Sequence, residues 1–252
     1  MASRIIESKT NSFFKKIKKL QKRKYREQDK LFIAEGRKFL QFSYRPKYII
    51  CAEGYDKELL VKEGEIVYTF SKTLFKEISS QENSQGVILV YEYPKLIEEK
   101  LSDDLVILDQ IQDPGNLGTI IRLLDAVGLK DIILVKGTVD VYNEKTVRSS
   151  MGSIFNMNYH YMDYDELFPF LETQNYNIIS TALAEDSVDY TQMTIKEKNA
   201  IIFGNEGNGI SKELLQKSDE KIIIPIYGSA ESLNVGVATG IVMYKYIELK
   251  RK

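Results

Sequence analysis

The side chains that could do chemistry in this sequence of 252 residues are amides, carboxylates and arginines, because the chain has one cysteine, Cys51, and one histidine, His160. A single cysteine excludes an internal disulfide and a cysteine metal cluster, and a single histidine leaves no pair for a metal or a Ser-His relay. We therefore expect no metal and a reaction that needs neither thiol nor imidazole. The remaining candidates lie in three loops rich in Gly and Asn.

The first of these loops leaves a strand through Asp113-Pro114-Gly115, and a helix that begins near Leu117 carries Arg122. The helix is otherwise built of Ile, Leu and Val. An arginine on its buried side would be costly without a use, so the pattern favours a functional Arg122. A surface arginine on an amphipathic helix is the alternative.

The second loop, Ile201–Ser211, reads IIFGNEGNGIS and superficially suggests dinucleotide binding. Its glycines are spaced G-x-x-G-x-G rather than G-x-G-x-x-G, no clear βαβ unit surrounds them, and no Gly-Lys-Ser/Thr follows. Neither nucleotide motif explains Glu206 between the glycines, although a plain turn could carry it.

The third loop lies in the stretch Lys221–Tyr246, where an apolar run that contains Pro225 predicts a buried parallel strand. A helix follows, with Ser232 or Asn234 as its candidate cap. Ligands of open α/β sheets bind beyond the carboxyl ends of strands, so Gly228–Asn234 is a candidate site. An ordinary connection between strand and helix is equally compatible with this stretch alone.

The segments around these loops predict an α/β fold of two domains. Residues 1–95 form a small α/β domain, 96–103 a linker, and 104–252 a domain in which helices separate the strands of a mostly parallel sheet. The predicted strands of the second domain are Leu105–Ile111, Ile132–Val135, Asn177–Leu183, Ala200–Gly204 and Lys221–Ile226.

Charge is divided unevenly between the two domains. Residues 1–95 carry 20 Lys and Arg against 12 Asp and Glu, a net charge of +8, and the remainder carries −9. Such asymmetry favours an anionic partner for the basic part. Within Asn11–Gln28 an apolar helical stripe of Phe13, Ile17 and Leu20 is surrounded by basic residues, for which phosphate contact, a solvated face and, less favoured, a membrane surface are the interpretations. These basic residues are Lys15, Lys16, Lys18, Lys19, Lys22, Arg23, Lys24 and Arg26.

Together the three loops resemble the SpoU/TrmH-type branch of the SPOUT superfamily, the trefoil-knotted RNA ribose 2'-O-methyltransferases. The matching segments are Asn116–Arg122 (NLGTIIR), Phe203–Gly209 (FGNEGNG) and Ile224-Pro-Ile with Ser232–Val235 (SLNV). Val147–Gly152 (VRSSMG) also matches, and the resemblance extends from about Asp104 to the C-terminus. Residues 1–95 resemble, more weakly, the small RNA-binding domain that often precedes such domains.

The resemblance implies a deep C-terminal knot, S-adenosylmethionine as cofactor, and a homodimer whose interface completes the active site. It implies catalytic roles for Asn116, Arg122, Glu206 and Asn234, and contact of Gly204, Ile224 and Leu233 with the cofactor. One departure is Gly236, where the family usually has Ser. For RNA contact the candidates are Lys15, Lys16, Lys18, Lys19, Arg23, Arg37 and Arg148.

The expected function is methylation of a ribose 2'-hydroxyl in ribosomal RNA, 23S above all, with transfer RNA as the alternative substrate. A knotted RNA-binding or assembly protein without activity is the alternative from another class, and the glycine spacing excludes a nucleotide-dependent oxidoreductase. No apolar run reaches the ~18–20 residues of a membrane span and no signal peptide is evident, so we expect a cytoplasmic protein without DNA or membrane partners.

Overall fold

The structure, a computed structural model, describes residues 5–55, 65–95 and 101–251, so residues 96–100 of the predicted linker lie outside the described residues. Its strands are β1 Ile5–Ile6, β2 Leu31–Glu35, β3 Tyr48–Ala52, β4 Val67–Phe70, β5 Val87–Glu92, β6 Asp104–Leu108, β7 Asp131–Val135, β8 Asn158–Met162, β9 Asn177–Thr181, β10 Val188–Asp189, β11 Asn199–Phe203 and β12 Glu220–Ile223. Its α-helices are α1 Ser12–Lys19, α2 Arg23–Asp29, α3 Lys72–Ile78, α4 Pro114–Val127, α5 Glu144–Ser150, α6 Tyr164–Gln174, α7 Lys212–Lys217 and α8 Val235–Lys250.

Contacts divide the chain into two units. The first unit comprises Met1–Lys95 together with Asp140–Phe155, and the second comprises Leu96–Val139 together with Asn156–Lys252. A segment that follows β7 in sequence, including α5, therefore packs with the first 95 residues.

The first unit has a five-stranded sheet in the order β1-β4-β3-β5-β2, in which β5 is antiparallel to both of its neighbours. The predicted helical stripe is buried at Ile17 and Leu20, which are fully inaccessible, and half-buried at Phe13. The helical segment 11–28 is two helices, because Lys22 adopts an extended conformation between α1 and α2. Asn11 caps α1, its Oδ1 accepting from the backbone N–H of Phe13 at 2.9 Å.

Aromatic contacts explain why residues 140–155 belong to the first unit. The ring of Tyr142 stacks on Tyr93 with centroids 3.9 Å apart, and its centroid lies 4.7 Å from that of Phe32. The ring of Phe155 stacks on Tyr44 at 5.0 Å. Such pairs add ~0.5–1.5 kcal/mol each beyond the area that they bury, so they anchor the segment.

The second unit has a seven-stranded sheet in the order β10-β12-β9-β11-β6-β7-β8, and every neighbouring pair is parallel. The predicted mostly parallel sheet is confirmed. Strands β6, β7 and β11 are apolar and nearly completely buried, as expected for strands covered on both faces. Two of the strands, β8 and β10, were not predicted, and β12 ends at Ile223 rather than Ile226.

The order of these strands places a ligand crevice at β6 and β11. From β6 the chain proceeds outward to β7 and β8, and it then crosses to the other side of β6, where β11 lies between β9 and β6. Loops that leave the carboxyl ends of adjacent strands at such a reversal form the usual binding crevice of parallel sheets. The predicted C-terminal knot is consistent with this strand order and stays a prediction.

Helices α4 and α8, which follow the first and third loops, pack against each other. Helix α4 begins at Pro114 rather than near Leu117, because Asp113 caps it and its Oδ1 accepts from the N–H of Asn116 at 2.8 Å. A β-carbon at Gly240 of α8 would lie 3.5 Å from the side chain of Leu123, an ordinary contact distance. No helix within the described ranges is long and apolar enough to cross a membrane.

Candidate active site

Hydrogen bonds join one residue from each of the three loop regions. The Nδ2 atom of Asn116, in the first turn of α4, donates to Oε1 of Glu206 in the second loop at 2.8 Å. The Oδ1 atom of Asn116 accepts from Nδ2 of Asn234, at the end of the third loop, at 3.0 Å. We call this set, Asn116, Glu206 and Asn234, the amide–carboxylate triad. The structure thus brings together three of the four residues predicted to be catalytic.

The triad has fixed amide orientations because each of its amides is held at both ends. Asn234 caps α8 as predicted: its Oδ1 accepts from the N–H of Gly236 at 2.9 Å, so its Nδ2 must face Asn116. Asn116 is fixed in turn because Glu206 can accept a hydrogen bond and, when ionised, cannot donate one. The second and third loops and the starts of α4 and α8 therefore hold the triad in place. Glu206 and Asn234 are exposed to solvent.

Arg122, the fourth predicted residue, lies on the exposed side of α4 and not on its buried side. The expectation of a buried-side arginine was wrong, because Ile121 and Leu124 fill the inward face and direct the intervening side chain to solvent. Six residues separate it from Asn116, about 9 Å along the helix axis. It makes no hydrogen bond or ion pair within the described part of the chain.

Gly204, predicted to contact the cofactor, is required by the loop itself. A β-carbon there would lie 2.5 Å from the carbonyl oxygen of Gly209 and closer still to neighbouring backbone atoms. Asn205 and Gly209 form a bridge with two hydrogen bonds of 2.9 Å, which draws the second loop into a tight turn. A residue larger than glycine at 204 therefore requires the backbone of this loop to move.

The third loop contains the other two predicted cofactor contacts, Ile224 and Leu233. Ile224 is half-buried just after β12, whereas Leu233 is 38% exposed and Tyr227 is 95% exposed. Residues 226–233 make no hydrogen bonds within the described part of the chain. Free backbone groups beside exposed apolar side chains suit the flat face and polar edge of an adenosyl group, so these residues fit the predicted cofactor.

Gly236, where Ser was expected from the resemblance, lies against Thr119 of α4. A β-carbon at Gly236 would be 3.1 Å from Cγ2 of Thr119 and 3.2 Å from Oδ1 of Asn234. Both distances are short enough that a neighbour would have to move by a few tenths of an ångström. The glycine thus leaves room for Thr119, whose hydroxyl donates to the carbonyl oxygen of Gly115 at 2.9 Å.

Residues that sequence reasoning missed hold the first two loops together. Asp109, directly after β6 and 1% exposed, accepts from the N–H of Ser211 and from the hydroxyl of Tyr164, both at 2.7 Å. Burial, together with the bond to Asp109, raises the pKa of Tyr164. Asn205 donates through Nδ2 to the carbonyl oxygen of Gln110 at 2.8 Å. A carboxylate immediately after a buried strand was the signal that could have identified Asp109.

The predicted RNA-binding side chains are exposed, and several of them have protein partners. Lys18 pairs with Glu77 at 2.5 Å and Arg23 pairs with Glu27 at 2.7 Å. Other cations lie over aromatic rings, as Lys19 does over Tyr25, at 5.2 Å from the ring centroid, and Arg37 over Tyr55, at 4.6 Å. The exposed residues of this set are Lys15, Lys16, Lys18, Lys19, Arg23, Arg37 and Arg148.

Arg26 does not belong to the basic face on which the sequence placed it. Its side chain is buried, and its guanidinium donates to Oδ2 of Asp140 at 2.6 and 2.9 Å and to the carbonyl oxygen of Leu20 at 2.8 Å. It is a structural ion pair of the first unit. Among the described residues no group of three or more His, Cys, Asp or Glu side chains could hold a metal ion.

Three loops thus meet at the carboxyl edge of a parallel α/β sheet, in a chain whose first 95 residues carry a net charge of +8. The sequence profile of the SpoU rRNA Methylase family matches residues 104–244, and that of the MRM3-like substrate binding domain matches residues 11–89. The chain belongs to the SpoU rRNA methylase family. Its predicted identity as an S-adenosylmethionine-dependent RNA methyltransferase is confirmed.

Two similar proteins match nearly the whole chain, and a third matches part of it. A Bacillus subtilis protein named 23S rRNA (guanosine(2553)-2'-O)-methyltransferase RlmP is 35% identical over 251 residues, which cover 95% of this chain and 97% of the relative. The crystal structure of an AdoMet-bound rRNA methyltransferase from Sinorhizobium meliloti is 30% identical, covers 98% of both chains and has a TM-score of 0.81. An Aquifex aeolicus tRNA (guanosine(18)-2'-O)-methyltransferase is 31% identical over 60% of this chain and 72% of its own length.

Proposed function

We propose that this protein transfers the methyl group of S-adenosylmethionine to a ribose 2'-hydroxyl of 23S ribosomal RNA. The observation that carries the proposal is the amide–carboxylate triad, which brings the three loops together at one edge of the sheet. Support for the substrate comes from the Bacillus subtilis relative, whose similarity includes the substrate-binding unit as well as the catalytic one. The tRNA-specific relative matches only 60% of this chain.

The reaction is an in-line displacement. Bound beside Gly204, Ile224 and Leu233, S-adenosylmethionine would supply a methyl group activated as a sulfonium, which the ribose 2'-oxygen would take up as the carbon–sulfur bond breaks and a neutral thioether leaves. Only the hydroxyl proton has to be removed. Since no leaving group needs protonation, the protein's contribution is alignment and stabilisation of the developing alkoxide.

In this proposal the triad positions the substrate and Arg122 stabilises charge. Free lone pairs of the exposed Glu206 and the second N–H of the half-buried Asn116 amide can hold the ribose by hydrogen bonds, in an orientation fixed before substrate arrives. Arg122 acts as a cation, because a guanidinium has no acceptor for a proton and is not deprotonated in proteins. It stabilises the alkoxide or an adjacent phosphate while the proton leaves to water or a neighbouring oxygen.

Helix α8 supports a homodimer, which would bring a second copy of the chain to this site. Val237 is 53% exposed and Tyr244 is 58% exposed, and with Ile241 they form one apolar stripe at helical spacing. Exposed apolar stripes next to a functional surface typically mark protein interfaces. Arg122 has no partner within the described part of its own chain, which fits a role across such an interface.

The dimer can be tested by sedimentation equilibrium. The wild type should sediment as a dimer, and Val237→Asp and Tyr244→Asp should dissociate it.

A direct test of the substrate offers the purified protein a mixture of ribosomal and transfer RNA from cells that lack it, with tritiated S-adenosylmethionine. The label should enter 23S RNA. Label in transfer RNA alone would favour the alternative substrate. No label in any RNA, from a protein that binds the cofactor by calorimetry, would favour the alternative of an RNA-binding or assembly protein.

A further inference from the structure

A cavity in the first unit is unrelated to the triad. It has a volume of about 310 Å³, near the lower end of the ~300–1,000 Å³ of small-ligand sites. Helix α5 and its cap contribute one wall, and Arg26 of α2 together with residues just after α1 and α3 contribute the others. Its lining residues are Gln21, Arg26, Ser80, Asn143, Glu144, Lys145 and Arg148.

The carboxyl group of Glu144 lines this cavity and has an oxygen without a hydrogen-bond donor among the described residues. This oxygen, Oε1, is buried, and the hydroxyl of Ser80, which lines the same cavity, donates instead to Oε2 of Glu35 at 3.2 Å. Burial raises the pKa of Glu144 and nearby Glu35 adds to this effect. A buried acceptor without a donor is unfavourable, so a ligand that supplies donors here would relieve that penalty.

Two neighbours of Glu144 in the cavity lining, Asn143 and Arg148, are hydrogen-bond donors. Oδ1 of Asn143 accepts from the N–H of Lys145 at 2.9 Å, so its amide nitrogen is left to donate. Arg148, one turn further along α5, is an exposed cation of the cavity lining. Arg26 is already paired with Asp140 and is therefore a wall and not a recognition group. The cavity thus offers an amide donor next to a carboxylate acceptor, with a cation beside them.

We propose that this cavity binds one unstacked guanosine 5'-phosphate unit of the substrate RNA. Guanine presents an acceptor, O6, beside two donors, N1–H and the N2 amino group, on one edge. That pattern complements the Asn143 amide beside the Glu144 carboxylate, and Arg148 would bind the phosphate. Adenine offers an acceptor where guanine offers N1–H, and pyrimidines lack a second adjacent donor for the carboxylate. The proposal rests on RNA being the substrate and adds a nucleotide preference that is read by the first unit.

The test uses the full chain with its cofactor site filled by S-adenosylhomocysteine, and 5'-GMP, 5'-IMP and inorganic phosphate as probes in equilibrium dialysis. Inosine lacks only the N2 amino group, so the ratio of GMP to IMP affinity measures the contact with the carboxylate. We expect GMP to bind roughly tenfold more tightly than IMP, because inosine keeps the N1–H bond to the carboxylate and loses the bond from the N2 amino group. Inorganic phosphate should bind more weakly than either nucleotide.

Variants distinguish recognition of the guanine base by Glu144 from binding of the phosphate by Arg148. Glu144→Gln should bring the GMP-to-IMP ratio close to one, and the matched control Glu82→Gln, an exposed carboxylate of the same unit, should leave it unchanged. Arg148→Ala should weaken GMP and IMP equally. A ratio near one in the wild type, a preserved ratio in Glu144→Gln, or no GMP binding by folded protein would overturn the proposal. Methyl transfer to ribosomal RNA is measured on the same preparations. Normal methyl transfer without a GMP preference would overturn only the cavity proposal, whereas absent methyl transfer would overturn the proposed function.

Discussion

Asn116 is the central residue of the proposed active site, because its one amide group joins both other members of the triad. It donates to Glu206 and accepts from Asn234, so a change in either partner would free it to rotate. Alignment is the main contribution that this chain can make to a displacement at carbon. Loss of such positioning should therefore lower the rate more than it lowers cofactor affinity.

Two replacements of Glu206 test this role. Glu206→Gln keeps an acceptor for Asn116 and should lose less activity than Glu206→Ala, for which we expect a loss of tenfold or more, in keeping with ~10²–10³ for removal of a well-placed polar group elsewhere. Single-turnover methyl transfer is the measurement. The exposed carboxylate Glu213, replaced by Ala, is the control. Equal rates for Glu206→Ala and that control would remove the triad from the mechanism.

The proposed role of Arg122 can be tested with one variant that removes its positive charge and one that keeps it. Arg122→Ala should slow methyl transfer by roughly a hundredfold or more with little change in cofactor affinity, since a group that stabilises the transition state acts on rate. Arg122→Lys should restore part of the rate with an unchanged pH profile. A rate in Arg122→Lys that rises with pH would instead indicate a lysine acting as base. A near-normal rate in Arg122→Ala would return this arginine to a surface role.

At the scale of elements, the helix caps beside the three loops could be predicted from the local sequence, but the contacts between the loops could not. The caps at Asp113 and Asn234 are side chains directly before helical segments, and Asn234 was predicted for that reason. The buried contact from Asp109 to Ser211 and the bridge from Asn205 to Gly209 depend on which loops meet, which no local pattern states. The exposed position of Arg122 was missed because an apolar helix does not reveal which of its sides is covered.

The second loop yields an element-scale prediction. Gly204→Ala places a β-carbon against the backbone of Gly209 and should lower thermal stability by several degrees and weaken S-adenosylmethionine binding. Gly240→Ala is the matched control, because a β-carbon there would meet only the side chain of Leu123, at an ordinary 3.5 Å. Scanning calorimetry with and without cofactor measures both effects. If Gly204→Ala were as stable as Gly240→Ala, the tight second loop described above would be incorrect.

At the scale of the whole chain, the sequence predicted the α/β class, the parallel sheet of the second unit and the three loops, because buried strands and glycine-rich turns leave local signals. It did not predict that residues 140–155 pack with the first 95. That packing rests on Tyr142 and Phe155, whose ring partners lie far away in sequence. Long-range pairs of this kind carry no periodic signal.

The basic unit should make RNA binding sensitive to salt. Lys15→Gln with Lys16→Gln should flatten the plot of log affinity against log salt by about 1.4, at ~0.7 per phosphate contact on single strands. Lys9→Gln with Lys18→Gln is a control of equal charge, in which both lysines already pair with Glu77 and should change the slope less. Titrations across a salt series measure both. Identical slopes for the wild type and the Lys15/Lys16 variant would mean that this face is merely solvated.

The most direct test of the central claim is where on the nucleotide the methyl group goes. We would label 23S RNA from cells that lack the protein with tritiated S-adenosylmethionine and digest it with alkali, which cannot cleave next to a methylated 2'-oxygen. The label should appear in alkali-stable dinucleotides with wild-type protein and fall sharply with Asn116→Ala. Label released in mononucleotides, which would mean a methylated base, or equal labelling by the two proteins, would contradict the account.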